Sequence, residues 1–355
     1  MSHARQAAST LAAPMAELRA PPERAPQTLA HRLNYWVVER AKVEVLRWRH
    51  ARELRPQTVR REALDKARFV LITTLRNEAF RLPYFFRYYR SIGVEHFIIV
   101  DNQSDDGLHA LVEDMPDVSV WVACGSYKRS RYGVVWMNHL LSRYCAGKWI
   151  VNADPDEILV FRDEDASGLP GLARRLESQR VRGLATMMVD MYSDRPVEEN
   201  LYRPGEDPLA VCPYFDAWGY RETVETPLAV KHVRGGPRAR LFFARIEASP
   251  MLQKTPFVKW RWFYAFTRGS ACEVWPPNLA DRAYANRRGM PGALLHFKFL
   301  AQFVDKVHEE RQRKQHTDEY VSYRKGLEGT LGTFMFEGSR LYEGWISLVE
   351  AGLLV

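Results

Sequence analysis

Three carboxylates sit between two apolar β-type runs in the stretch Trp149 to Phe161, WIVNADPDEILVF. Asp154 and Asp156 are two positions apart, so in an extended chain they point the same way. Paired carboxylate oxygens make a hard donor set suited to Mg²⁺ or Mn²⁺. Pro155 cannot donate to a sheet ladder, so the acidic run should break Trp149-Ile150-Val151 from Ile158-Leu159-Val160-Phe161 and form a turn at a strand end. An isolated D-x-D is more often a solvated acidic turn, but solvated loops are seldom framed by buried strands. Late in the chain, His296 and Lys298 alternate with Phe297 and Phe299. In a strand this spacing puts His and Lys on one face and the aromatics on the other. A lone His is more often structural; a neighbouring Lys raises its interest.

These groups need a scaffold that brings them together. Phe69 to Thr74 reads as a buried strand, and Leu82, Phe85, Phe86 and Tyr89 follow at the spacing of one helix face. His96 to Val100 is a second apolar strand that ends in the polar turn Asp101 to Gly107. Val118, Val120 and Val122 alternate as a third strand. Trp136, Leu140 and Tyr144 share a helix face, and Gly147 closes that helix just before Trp149. Strands alternating with helices call for a mainly parallel sheet with right-handed crossovers. Ligands then belong at the strand C-termini, where Thr73 to Glu78, Asp101 to Asp106 and Asp154 to Glu157 should converge.

Upstream, Leu29, Leu33, Trp36, Val37, Ala41, Val45 and Trp48 recur at helical spacing, with Arg40, Lys42, Arg47, Arg49, His50 and Arg52 between them. This is a helix packed on its own domain or a partner, or a basic amphipathic helix on anionic lipid. The expected organisation is a disordered leader at 1–27, a helical extension and linker at 28–66, an α/β domain at 67–300 and a helical segment at 301–355. That last segment holds the basic stretch Arg311 to Lys314 and an amphipathic helix marked by Leu341, Trp345, Ile346 and Val349. A chain of 355 residues with 46% hydrophobic content can bury a large core. Its net charge of +8 favours an anionic partner without choosing among nucleic acid, phosphorylated small molecules and acidic membranes. Cys124, Cys145, Cys212 and Cys272 show no C-x-x-C or zinc spacing, which points to a reduced, cytoplasmic setting. No apolar run reaches the roughly 18 residues of a membrane span.

The ordered phrases TTLRNE (73–78), LPYFFRYYRSIGVEHFIIVDNQSDDG (82–107) and NADPDEILVF (152–161) resemble the first half of a family 2 glycosyltransferase or a close relative with the GT-A fold. Fainter likeness continues at LQKTPFVKW (252–260) and LLHFKFL (294–300). The resemblance implies an α/β, GT-A-like fold: a mainly parallel central sheet flanked by helices, with helical extensions at both ends. It implies metal-dependent transfer of a sugar from a nucleotide-diphosphate sugar to a saccharide, lipid-linked or other hydroxyl acceptor, as in polysaccharide assembly. Thr73, Arg76, Asn77 and Glu78 would then lie by the nucleotide, and Asp101 would bond its base or ribose. Asp154 and Asp156 would hold Mn²⁺ or Mg²⁺, with His296 completing the metal or diphosphate site. Lys254, Lys298 and the run Lys231 to Arg238 are candidates for binding diphosphate or acceptor, although a basic Gly-Pro loop is more often simply solvated. An acceptor hydroxyl needs a base, and Asp190, Asp194, Asp216, Glu222 and Glu225 all lie downstream. Asp216 is the choice, because Tyr214, Phe215, Trp218 and Tyr220 around it could stack on a sugar. Competing readings are a non-catalytic sugar-nucleotide binder, possessing the same site, and a basic nucleic-acid-binding protein, for which no helix-turn-helix, zinc or ribonucleoprotein motif is found. A two-metal phosphoesterase would want more His and Asp ligands than the motifs provide. The reading places the chain in the cytoplasm, with peripheral contact to the inner membrane face as the alternative to a basic helix packed on its own domain or a partner.

Overall fold

The computed structural model describes residues 29–225, 230–268, 273–276, 279, 288–303 and 332–355. The expectations for the leader 1–27, for Arg311 to Lys314 and for Cys272 lie outside the described residues, as do those for the side chains of Leu29, Leu33, Trp36 and Glu225. The first half runs α1 (Leu29–His50), β1 (Leu54–Thr58), α2 (Arg61–Lys66), β2 (Phe69–Leu75), α3 (Leu82–Ser91), β3 (His96–Asp101), α4 (Leu108–Val112), β4 (Val118–Ala123), α5 (Val134–Tyr144) and β5 (Trp149–Asn152). Next come β6 (Glu157–Phe161), α6 (Glu164–Ser178), β7 (Gly183–Asp190), α7 (Pro208–Val211), β8 (Tyr214–Asp216), β9 (Tyr220–Glu225), β10 (Val230–Gly235) and α8 (Gly236–Phe242). Last are β11 (Gln253–Lys259), β12 (Ala265–Arg268), β13 (Glu273–Trp275), β14 (Gly292–His296), β15 (Ser339–Leu341) and α9 (Trp345–Glu350).

A nine-stranded sheet in the order β1-β4-β3-β2-β5-β11-β7-β14-β6 organises the chain. The strands β2, β3, β4, β5, β7 and β14 run one way; β1, β11 and β6 oppose them. This is the α/β arrangement expected from the sequence, a mainly parallel central sheet flanked by helices. Alternate residues of the central strands feed opposite faces, because side chains in a strand point alternately up and down. Phe69 and Leu71 of β2 and Phe97 and Ile99 of β3 pack with Phe85, Phe86 and Tyr89 of α3. Val70, Ile72, Ile98 and Val100 pack on the other face with Trp136, Met137 and Leu140 of α5. Burial on both faces explains why these strands read as unbroken apolar runs rather than as polar alternation.

The segment 28–66 does more than link, since its β1 forms the sheet edge against β4. Pro56 is tolerated there because an edge strand has one side without ladder bonds, and the register shifts between Pro56 and Thr58. At the other end, β15 pairs with β8, and Leu348, Leu353 and Leu354 join the core around β7 and β14. No described helix is long and apolar enough to cross a membrane.

A candidate metal and donor site at the strand ends

Register builds the centre of the site. β14 lies between β7 and β6, so its last residue His296 faces Asp190, the last of β7, and Glu157, the first of β6. Three titratable side chains from distant parts of the chain thus form one cross-strand row. The turn before β6 adds Asp156, whose backbone oxygen accepts from the Phe297 N–H at 2.8 Å. Asp156 Oδ2 lies 3.5 Å from His296 Nε2. One ligand atom from each of Asp156, Glu157 and His296 falls within 4.8 Å of the others, close enough to share a cation.

Behind this group, Asp190 Oδ1 lies 2.6 Å from His296 Nδ1, and Asp190 Oδ2 accepts from Arg238 Nε at 2.7 Å. A carboxylate on Nδ1 favours the tautomer with its proton there, leaving Nε2 with a lone pair towards Asp156. Burial works against the charged form of His296, but Asp156 and Asp190 outweigh it and hold the pKa above its ordinary value. Asp190 is itself buried, which alone would raise its pKa; Arg238 and His296 overcome this and lower it. On the opposite flank Lys254, only 4% exposed, is ion-paired with Glu157 and lies 3.8 Å from Asp154. Burial pushes the Glu157 carboxyl up to about 7, with Lys254 opposing the shift. Tyr89 of α3 fixes the start of β6 by donating to Glu157 O at 2.9 Å and accepting from Leu159 N at 3.1 Å.

The donor set fits a divalent cation: two carboxylates and an imidazole nitrogen, the latter oriented by an outer carboxylate. An imidazole ligand suits Mn²⁺ better than Mg²⁺, which prefers an all-oxygen shell. The partition differs in detail from the one expected for the D-x-D pair. Asp156 joins His296 directly, whereas Asp154 turns towards Lys254, and Glu157 takes the third place in the cluster. Glu157 was visible as the third acid of the turn, but its buried position depends on pairing with β14. Asp190 and Arg238 were within reach of sequence reasoning only as a loose base candidate and a member of a basic run.

A second part of the site lies at the ends of β2, β3 and β4. Arg76, Asn102, Gln103 and the segment Cys124 to Tyr127 line a cleft with a cavity volume of ≈ 330 Å³. Arg76 donates to Asn102 O at 3.3 Å. Asn77, at φ 53°, clasps the neighbouring turn: its N–H donates to Ser104 Oγ at 3.0 Å and its Oδ1 accepts from Asp105 N at 3.0 Å. Asn tolerates this left-handed conformation better than most residues. Glu78 pairs with Arg81 at 3.0 Å, and Arg81 also donates to Phe297 O at 3.2 Å. The TTLRNE loop is thereby tied to the end of the His296 strand. Beyond Tyr127, whose carbonyl accepts from the Tyr132 N–H at 2.8 Å, Arg131, Tyr132 and Gly133 are consecutively left-handed. A Cβ on Gly133 would stand 2.6 Å from the Thr74 side chain, so this turn requires glycine there. Among the described residues, Thr73 and Thr74 Oγ1 and both polar atoms of Asn152 are buried with no hydrogen-bond partner, so unsatisfied polarity gathers at the ends of β2 and β5.

Other expected residues fall elsewhere. Asp101 is 1% exposed, accepts from Ser104 N at 2.9 Å and faces His109 at 3.1 Å. It holds its turn, and Asn102 and Gln103 line the cleft in its place. Lys298 follows the end of β14 instead of continuing the strand, and its ammonium lies 5.7 Å from the Phe303 ring. Asp216 is buried at 1% exposure, accepting from Tyr192 OH at 2.7 Å and from Arg240 at 3.1 Å. Burial raises its pKa against the pull of Arg240, but an enclosed carboxylate already bonded on its oxygens is not placed to deprotonate an acceptor. Of the basic run, Lys231 is buried on Glu222 and Gly289, and Arg238 alone reaches the site, through Asp190.

No family model matches the chain, and no curated protein matches it. Among solved structures it is similar to the mannosyltransferase PcManGT from Pyrobaculum calidifontis in complex with GDP-Man and Mn²⁺, at 17% identity over 44% of this chain and 45% of that one, with a TM-score of 0.26. It is also similar to mannosyl-3-phosphoglycerate synthase from Rubrobacter xylanophilus, at 18% identity over 48% of this chain and 60% of that one, with a TM-score of 0.25. The chain therefore spans about half the length of these relatives.

Proposed function

We propose that this protein is a metal-dependent glycosyltransferase that moves a sugar from a nucleotide-diphosphate sugar to a hydroxyl acceptor. The observation that carries this reading is the Asp156, Glu157 and His296 cluster, joined through Arg81 to the loop beside the Arg76 and Asn102 cleft. Transfer of this kind builds negative charge on a departing diphosphate, and a site for it must hold that charge in fixed geometry. Asp156, Glu157 and His296 would hold Mn²⁺, which when bound supplies Lewis-acid stabilisation of the leaving group. Asp190 keeps His296 in the tautomer that offers Nε2. Lys254 holds Asp154 and Glu157 in place and supplies a fixed positive charge at the base of the site. Arg76, Asn102 and Gln103 offer donors and acceptors to a nucleoside. The donor site would belong to the unit 67–300, with 28–66 and 301–355 completing its edges. Assembly of a polysaccharide or glycoconjugate is the process such an activity would serve.

The test is calorimetric titration of nucleoside diphosphates with and without Mn²⁺, followed by a donor panel assayed for transfer and hydrolysis. Binding that requires both diphosphate and Mn²⁺, with turnover of at least one nucleotide sugar, is expected. Absence of Mn²⁺-dependent nucleotide binding overturns the reading; binding without turnover makes the protein a sugar-nucleotide binder.

A further inference from the structure

The described side chains of helix α1 form two apolar faces, and among the described residues only one of them is covered. Val43 and His50 are buried on the protein side, where Arg47 donates to Ser142 Oγ of α5 at 2.7 Å. Glu44 lies at the edge of this side, paired with Arg40 and Arg47. At 3.6 residues per turn the opposite direction is occupied by Val37, Val38, Ala41, Val45 and Trp48. Val37, Val45 and Trp48 are 67%, 63% and 68% exposed. A surface helix normally presents polar residues opposite its buried stripe; here that position is apolar along most of the described length. Basic residues border the stripe: Lys42 and Arg49 are exposed beside it, and Arg52 sets its guanidinium 4.8 Å from the Trp48 ring centroid. Glu44, the one acidic side chain described in α1, borders the stripe on its other edge, where Arg40 and Arg47 pair with it.

We infer that this face of α1 lies on an anionic lipid surface, with Val37, Val45 and Trp48 entering the headgroup boundary and Lys42, Arg49 and Arg52 meeting lipid phosphates. The pattern is that of an interfacial helix: an apolar strip carrying a Trp, flanked on its polar border by Lys and Arg. The cationic border selects anionic lipid over an uncharged apolar partner, and the chain's net charge of +8 adds long-range attraction of the same sign. The inference stands on α1 alone and does not require the enzymatic reading.

The test uses the full chain and vesicles of phosphatidylcholine alone or mixed with phosphatidylglycerol. Co-sedimentation with the mixed vesicles and little with the neutral ones is expected. Val45→Asp with Trp48→Asp should lower the bound fraction at least about tenfold, because both apolar anchors are replaced by charges that anionic lipid repels. Arg49→Glu with Arg52→Glu should remove the preference for phosphatidylglycerol. All four positions lie on the exposed side, so circular dichroism should be unchanged in both variants. A wild-type chain that ignores mixed vesicles, or variants that sediment as wild type does, overturns the inference. So does light scattering that shows a dimer broken by Val45→Asp and Trp48→Asp, since the stripe would then belong to a second copy of the chain.

Discussion

Replacing Asp190 separates two things its carboxylate does. It neutralises Arg238, whose side chain is 6% exposed, and it fixes His296 from 2.6 Å. Asp190→Asn keeps the shape but deletes the charge, leaving a buried guanidinium without its counter-ion. Breaking a buried pair from one side costs about 3–5 kcal/mol. The same change weakens the acceptor that holds the His296 Nδ1 proton, and loss of such an outer partner typically lowers metal affinity about 10–100-fold. That corresponds to about 1.4–2.7 kcal/mol of binding free energy. The double variant Asp190→Leu, Arg238→Met distinguishes the effects. Removing both charges in favour of apolar groups is often neutral for stability, so its urea midpoint should return close to wild type while Mn²⁺ affinity stays low. Urea unfolding gives the first quantity, and calorimetric titration of Mn²⁺ in the presence of nucleoside diphosphate gives the second. A stable double variant that binds Mn²⁺ as tightly as wild type would refute the role assigned to Asp190. A wild-type chain that binds no Mn²⁺ fails the metal reading itself, at an earlier step.

Lys254→Met strands the buried Glu157 carboxylate and should cost on the order of 3 kcal/mol in urea unfolding, most of it recovered by adding Glu157→Gln; equal midpoints for wild type and Lys254→Met would contradict the pairing. Tyr89→Phe removes the hydroxyl that bridges Glu157 O and Leu159 N, so a loss of about 1–3 kcal/mol is expected by the same measurement, and no loss would show the bridge to be idle. His96, buried beside Ser119 at 2.9 Å, has its pKa lowered by burial from 6.5 to about 4. Its folded pKa lies below the unfolded one, so between these values the unfolded chain binds the extra proton; stability should fall by up to about 3 kcal/mol as pH drops through that window, and His96→Gln should remove that component.

The first half of the fold was legible because its signals are local. Leu82, Phe85, Phe86 and Tyr89 mark α3 by spacing alone, and all four are buried in one cluster. The continuous apolar runs of β2 and β3 announce strands covered on both faces. The row of Asp190, His296 and Glu157 was not legible, because strand register creates it: His296 and Asp190 are 106 positions apart. No periodicity within a single segment encodes such a contact. Lys298 shows the limit of alternation, which assumes that a strand continues; β14 ends at His296. For α1 the spacing identified a helix but not its orientation. With apolar residues on two sides, only packing against α5 decides which side is covered.

Charge balance gives the strongest physical reason for reading the acidic cluster as a cation site instead of a structural knot. Asp154, Asp156, Glu157 and Asp190 face two fixed cations, Lys254 and Arg238. With every carboxylate ionised and His296 in the neutral form that a metal ligand requires, the group would carry an excess of two negative charges. Buried charge without compensation is costly, and proteins normally avoid it by pairing or by protonation. Here burial favours the protonated form of Glu157, with Lys254 opposing it. A structural network could have been balanced with two more lysines, or with Asn in place of both Asp154 and Asp156, whose side chains are 31% and 22% exposed. The excess instead lies where the cluster opens to solvent, at Asp154 and Asp156, 31% and 22% exposed. A single divalent ion held by Asp156, Glu157 and His296 would cancel it in place.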